Sequence, residues 1–195
     1  MTCIVAIKHE GVVYLGGDSI SSDSKNYELR ADRKVFTREK GKYVFGFCGS
    51  WRVGQLLQHE LVIPKQTSKK SDMKYMVTDF IDAVIKLLDE NTQLKNENNL
   101  AYTDAVFIVG YKGEIYVVDS DFQVARMLSP YTSIGSGGEI ALGSLYSTDK
   151  LQGIDIRTRL QLALEAAAAY ALNVRAPFNY SNSSRKKIEC VEEDT

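Results

Sequence analysis

The sequence predicts an α+β fold in which two antiparallel sheets pack face to face, with helices on the outside. Three observations carry that prediction. Apolar, β-branched runs come in pairs joined by turns that contain Gly; amphipathic stretches separate the groups of runs; and the order is strands, two helices, strands, two helices and a last strand. Such separated blocks argue against a parallel doubly wound sheet, in which strand and helix alternate.

Taken in order, Thr2 to Lys8 is β-branched and apolar, Glu10-Gly11 is a turn, and Val12 to Leu15 resumes before Gly16-Gly17-Asp18. This is a hairpin at the start of the chain. Lys34 to Phe36 and Tyr43 to Phe47 form a second around Glu39-Lys40-Gly41. Ala105 to Val109 and Ile115 to Val118 form a third through Lys112-Gly113. Gly supplies the positive φ that tight hairpins need. Gln123 to Met127, Tyr131 to Ile134 and a stretch near Lys187 to Val191 complete the strands.

Helices are expected from Trp51 to about Leu61, before Pro64, and over a stripe of Met73, Met76, Val77, Phe80, Ile81, Val84, Ile85 and Leu88 at i, i+3, i+4 spacing. Ser71-Asp72 offers that stripe a cap. Glu139 to about Tyr146 and the Ala-rich Arg157 to about Leu172 supply two more helices, while Lys95 to Asn99 is expected to be an exposed loop.

With 195 residues, 44% hydrophobic and 25% charged, the chain has material for about one domain, expected over 2–195 with a frayed acidic tail at 192–195. Lys+Arg of 24 against Asp+Glu of 25 lacks the basic excess of a nucleic-acid binder. No apolar run approaches the ~20 residues that cross a bilayer, and no basic segment leads into an apolar signal region. A cytoplasmic protein without nucleic-acid or membrane partners is therefore expected. Three scattered cysteines, Cys3, Cys48 and Cys190, make no disulfide framework. Cys, His and carboxylates do not cluster at metal-ligand spacing, so no metal or other cofactor is expected.

What remains is a set of polar residues inside apolar segments. Thr2 follows Met1, and a small second residue favours methionine removal, which would leave an α-amino group beside a hydroxyl. Nucleophile and base then share one residue, because such an amine has an ordinary pKa of ~8. Asp18 lies 16 positions after Thr2, where a two-strand hairpin returns to its starting end. Lys34 lies 16 further on, and its charge beside Thr2 would favour the alkoxide and lower the amine's pKa. Singly these residues have bland readings as turn, surface or core positions.

Jointly they resemble the proteasome β-subunits and their bacterial relatives that work with ATPase unfoldase rings. The resemblance rests on Thr2-Cys-Ile-Val5, Gly17-Asp18, Lys34-Val35, Gly46-Phe-Cys-Gly49 and Ile134-Gly-Ser-Gly-Gly138, and covers Thr2 to about Phe178. It implies an N-terminal-nucleophile hydrolase with a four-layer αββα sandwich. By that resemblance Thr2 Oγ attacks an amide carbonyl, the Thr2 amine moves the proton, Lys34 tunes both and Asp18 holds Lys34. Gly49 would offer its N–H to the oxyanion at a position where a side chain would crowd the substrate, and Ser136 would contact the amino end of Thr2. Cys48 and Ser50 would border the substrate pocket. The family's late aspartate has no counterpart here; Asn173 is the nearest candidate, and Gly49-Ser50 followed by Trp51 stands where the family has Gly-Gly. The resemblance further implies a homo-oligomeric ring, an ATPase partner and a peptide or amide substrate. The length of the Met73 to Leu88 stripe, beyond what one subunit's core needs, points the same way. A small-molecule amidohydrolase and an inactive assembly subunit are the other readings that the fold allows. Retention of Thr2, Asp18 and Lys34 together favours an active enzyme.

Overall fold

The computed structural model describes residues 2–22 and 26–184. Strand β1 (Ile4–His9) turns through Glu10 and Gly11, both at positive φ, into β2 (Val12–Gly17). Together with β12 (Tyr131–Ile134) and β13 (Asn179–Asn182) they form an antiparallel sheet in the order β12-β1-β2-β13. The second sheet has the order β11-β10-β9-β6-β5, built from β5 (Val35–Arg38), β6 (Tyr43–Gly49), β9 (Ala105–Tyr111), β10 (Glu114–Val118) and β11 (Val124–Arg126).

The period-2 pattern of each strand divides its side chains between two layers. Ile4 and Ala6 of β1 and Val13 and Leu15 of β2 meet Val35, Val44, Ile108 and Ile115 of the other sheet in a core between the sheets. The alternate residues Cys3, Val5 and Ile7 face α4 (Gly138–Asp149) and α5 (Ile156–Tyr170), where Ala141, Ala163 and Ala167 permit close approach. On the far side, Tyr43, Phe45, Phe47, Phe107, Val109 and Tyr111 face α1 (Trp51–His59) and the helical stretch that starts at α2 (Asp72–Tyr75). The result is the helix–sheet–sheet–helix sandwich that the sequence predicts.

Several details differ from the sequence expectation. The stripe from Met73 to Leu88 is one helical rod, but a π-helical turn over Met76–Phe80 separates α2 from α3 (Ile81–Glu90). Met76, Phe80, Ile81, Val84 and Leu88 are buried in the chain's own core, Met73 and Ile85 are half-buried against it, and Val77 is 41% exposed. Lys95 to Asn99 is not a loop: β7 (Lys95–Glu97) pairs with β8 (Leu100–Tyr102) through positive-φ Asn98 and Asn99, a conformation Asn tolerates. A second short hairpin, β3 (Ile20–Ser22) with β4 (Tyr27–Leu29), has no apolar alternation to announce it. The last described strand is the polar β13, and the stretch at 187–191 and the acidic tail lie outside the described residues.

Candidate active site

The register of the two sheets brings five strand ends to one place. Ile4 pairs with both Gly17 and Ile134, so the start of β1 meets the end of β2 and the end of β12. Val35 pairs with Gly46, and Lys34 O accepts from Phe47 N, so the start of β5 lies beside the end of β6. Thr2, Asp18, Lys34, Gly49 and Ser136 sit immediately at these ends.

Asp18 and Lys34 form an ion pair in the interior, with side-chain exposures of 0% and 1%. Lys34 Nζ donates to both carboxylate oxygens at 3.0 and 2.9 Å. Asp18 Oδ1 also accepts from Cys3 N at 2.9 Å and Oδ2 from Ile20 N at 3.2 Å. Buried charges cost several kcal/mol each unless their hydrogen bonds are satisfied, and four bonds on one carboxylate meet that condition. Burial pushes the Asp18 carboxyl up and the Lys34 ammonium down, and each charge works against the other's shift. The pair links the two sheets and is tied to the backbone N–H of Cys3, the residue that follows Thr2.

Thr2 is buried, and its nitrogen, here a peptide N–H after Met1, donates to Ser136 Oγ at 3.3 Å. Thr2 O accepts from Gly137 N at 3.2 Å. Gly135 has φ +93°, and a Cβ there would stand 2.2 Å from Thr2 O. Only Gly lets the β12–α4 loop fold over Thr2 this closely.

Gly49 has φ +90° at the strand-to-helix turn and is exposed. A Cβ at Gly49 would meet Asp104 O at 2.1 Å, so the turn requires Gly by a clash within the chain itself. Ser50 N donates to that same Asp104 O at 2.7 Å, and Ser50 Oγ caps α1 by accepting from Val53 N. Cys48 is half-buried against the core between the sheets, and burial pushes its thiol up to about 11. Asn173 is half-buried in the turn after α5, two residues before Arg175, whose carbonyl accepts from Ser19 N at 3.4 Å.

Sequence reasoning overlooked two groups. Ser19 is 1% exposed; its Oγ donates to Pro177 O and accepts from Asn179 Nδ2, both at 2.6 Å, docking the segment after α5 and β13 beside Asp18. Ser19 opens the polar run Ser19-Ile-Ser-Ser-Asp-Ser24, in which nothing singles it out. The other group is Trp51 with Arg30 and Asp32. Their contact closes between distant segments and leaves no pattern in the sequence.

Among the described residues no group of three or more His, Cys, Asp and Glu is placed to hold a metal ion, and no described helix is long and apolar enough to cross a membrane.

The family of proteasome subunits matches residues 1–171 of the chain. The ATP-dependent protease subunits HslV of Nitratiruptor sp. and Pediococcus pentosaceus are each 24% identical to it, over 98% and 99% of this chain and 98% and 96% of theirs. Among solved structures, Thiobacillus denitrificans BPH in complex with epoxomicin superposes with a TM-score of 0.77 at 17% identity, covering 93% of this chain and 97% of that one. The eukaryotic HslV of Trypanosoma brucei gives 0.67 at 19% identity, covering 93% and 98%. At these identities the structural likeness speaks for the fold.

Proposed function

The chain belongs to the proteasome subunit family, with the fold of a proteasome β-subunit-like N-terminal-nucleophile hydrolase, and on that premise we propose that it is a threonine peptidase whose nucleophile is Thr2. Removal of Met1 frees the Thr2 amine. Thr2 Oγ attacks the amide carbonyl while its proton passes to that amine, directly or through a water. The tetrahedral oxyanion is met by the Gly49 N–H, the amine returns the proton to the leaving nitrogen, and water then releases the acyl group from Thr2 by the same route. Lys34 supplies a fixed positive charge that favours the alkoxide, Asp18 holds that charge in place, and Ser136 positions the amino end.

The observation that carries this reading is the buried Lys34–Asp18 pair, bonded through Cys3 N to the neighbour of Thr2. A merely structural contact between two sheets is made more cheaply by apolar residues. We further propose that the subunit assembles with copies of itself and works with an ATPase partner, a reading supported by the name of its HslV relatives, ATP-dependent protease subunits. The Thr2→Ala protein is expected to fold as the wild type and to lose peptide hydrolysis entirely. Undiminished hydrolysis by Thr2→Ala would remove Thr2 from the chemistry.

A further inference from the structure

Trp51 is the first residue of α1, directly after the Ser50 cap. Its ring is fixed on three sides. Phe47 meets it edge-on at 5.4 Å and 84°. Arg30 Cζ lies 4.3 Å from the ring centroid, and Lys34 Nζ lies over the same ring at 5.5 Å. Arg30 is held in turn by a forked pair of 2.8 Å bonds to Asp32, and its backbone N–H donates to Ser19 O at 2.9 Å. A circuit therefore runs from Asp18 through Ser19, Arg30, Trp51 and Lys34 back to Asp18. Two of its members are the buried ion pair.

We propose that Trp51 is a positioning residue whose ring face holds the Lys34 ammonium charged and aimed at the Asp18 side of the site. This inference rests on the peptidase reading above. An aromatic face attracts a cation, and the attraction grows when water is excluded. Lys34 is almost wholly buried, and its Nζ donates to both oxygens of Asp18. The titratable and charged groups around it are Asp18 at the end of β2, Cys3 before β1, Cys48 on β6 and, at the same Trp51 ring, Arg30. Burial pushes the thiols of Cys3 and Cys48 up to about 12 and about 11, so both are neutral near pH 7. Asp18 is then the one anion of this set, and Trp51 is the second group that favours the charged lysine. Because Trp51 opens α1 directly after the Ser50 cap, the setting of α1 also sets the distance from ring to ammonium.

The test is the titration of the Lys34 13Cε resonance in Thr2→Ala protein, with and without a change at Trp51, beside the pH dependence of Thr2 labelling by a peptide epoxyketone in the Thr2 forms. Trp51→Leu keeps an apolar cover and removes the ring face, so the Lys34 pKa is expected to fall by about one unit. The alkaline limb of labelling should fall with it. Trp51→Phe keeps a ring face and is expected to restore most of the difference, which also guards against a poorly folding Leu variant. A Lys34 pKa that stays put or rises in Trp51→Leu overturns the role given to Trp51, because Trp51 is then no more than a cover. Failure of the wild-type protein to be labelled at Thr2 would instead overturn the peptidase reading, and the Lys34 titration does not depend on that result.

Discussion

Lys34 is the residue on which chemistry and stability can be separated. Lys34→Met keeps the stem and removes the charge, and turnover is expected to fall at least ~100-fold. Asp18 is left buried without its counter-ion, at a cost of about 3 kcal/mol. Adding Asp18→Asn removes the orphaned charge, so the double variant should regain much of its stability in denaturant titration but none of its activity. The pH dependence has a definite sign. Lys34 sits below the ordinary lysine value of 10.5, so the wild-type alkaline limb of kcat/KM should lie below that value. Between the folded pKa and 10.5 the unfolded chain binds more protons than the folded one. This group's contribution to stability therefore rises with pH there, and loss of activity in that window is not unfolding. A limb unchanged in Lys34→Met would show that another group sets it. The spacing of Thr2, Asp18 and Lys34 was legible because strand register makes a sequence interval into a distance. Trp51, Arg30 and Ser19 were not, since side chains from separate segments meet there without any periodicity to mark them.

At the level of elements, Ser50 has two possible duties. Its Oγ caps α1, and it was expected from the sequence to border the substrate pocket. Ser50→Ala should cost about 1 kcal/mol through the cap, a fall in Tm of about 2–4 °C for a chain of this size. If capping is its whole duty, KM stays constant; a raised KM at unchanged kcat assigns it to the pocket as well. The long strands and helices could be read because apolar periodicity of 2 or 3.6 reports a buried face. β13, Asn179 to Asn182, could not, being polar and held by its pairing to β2 and by Ser19. The π-helical turn within the Met73 to Leu88 rod includes Val77, which is exposed although the i, i+3, i+4 spacing places it in the stripe.

On the scale of the whole molecule, the sandwich works as a device for bringing strand ends from two sheets together, and the ion pair spans them. For the proposed assembly, the other helical layer also offers exposed side chains. Leu142 and Tyr146, four apart on α4, are 41% and 56% exposed, and Tyr170 at the end of α5 is 82% exposed, on the helices of the outer layer. Light scattering is expected to find a closed multimer of the 195-residue chain at micromolar concentration, and a stable monomer would leave the ring without support. The central claim, that Thr2 becomes the N-terminal nucleophile, is tested most directly by intact-mass and peptide mass spectrometry of the purified protein before and after exposure to a peptide epoxyketone, which needs hydroxyl and free amine together. The account predicts a chain lacking Met1 that gains one adduct, located on Thr2 and absent from Thr2→Ala. A fully active chain that retains Met1, or equal labelling of wild type and Thr2→Ala, would contradict it.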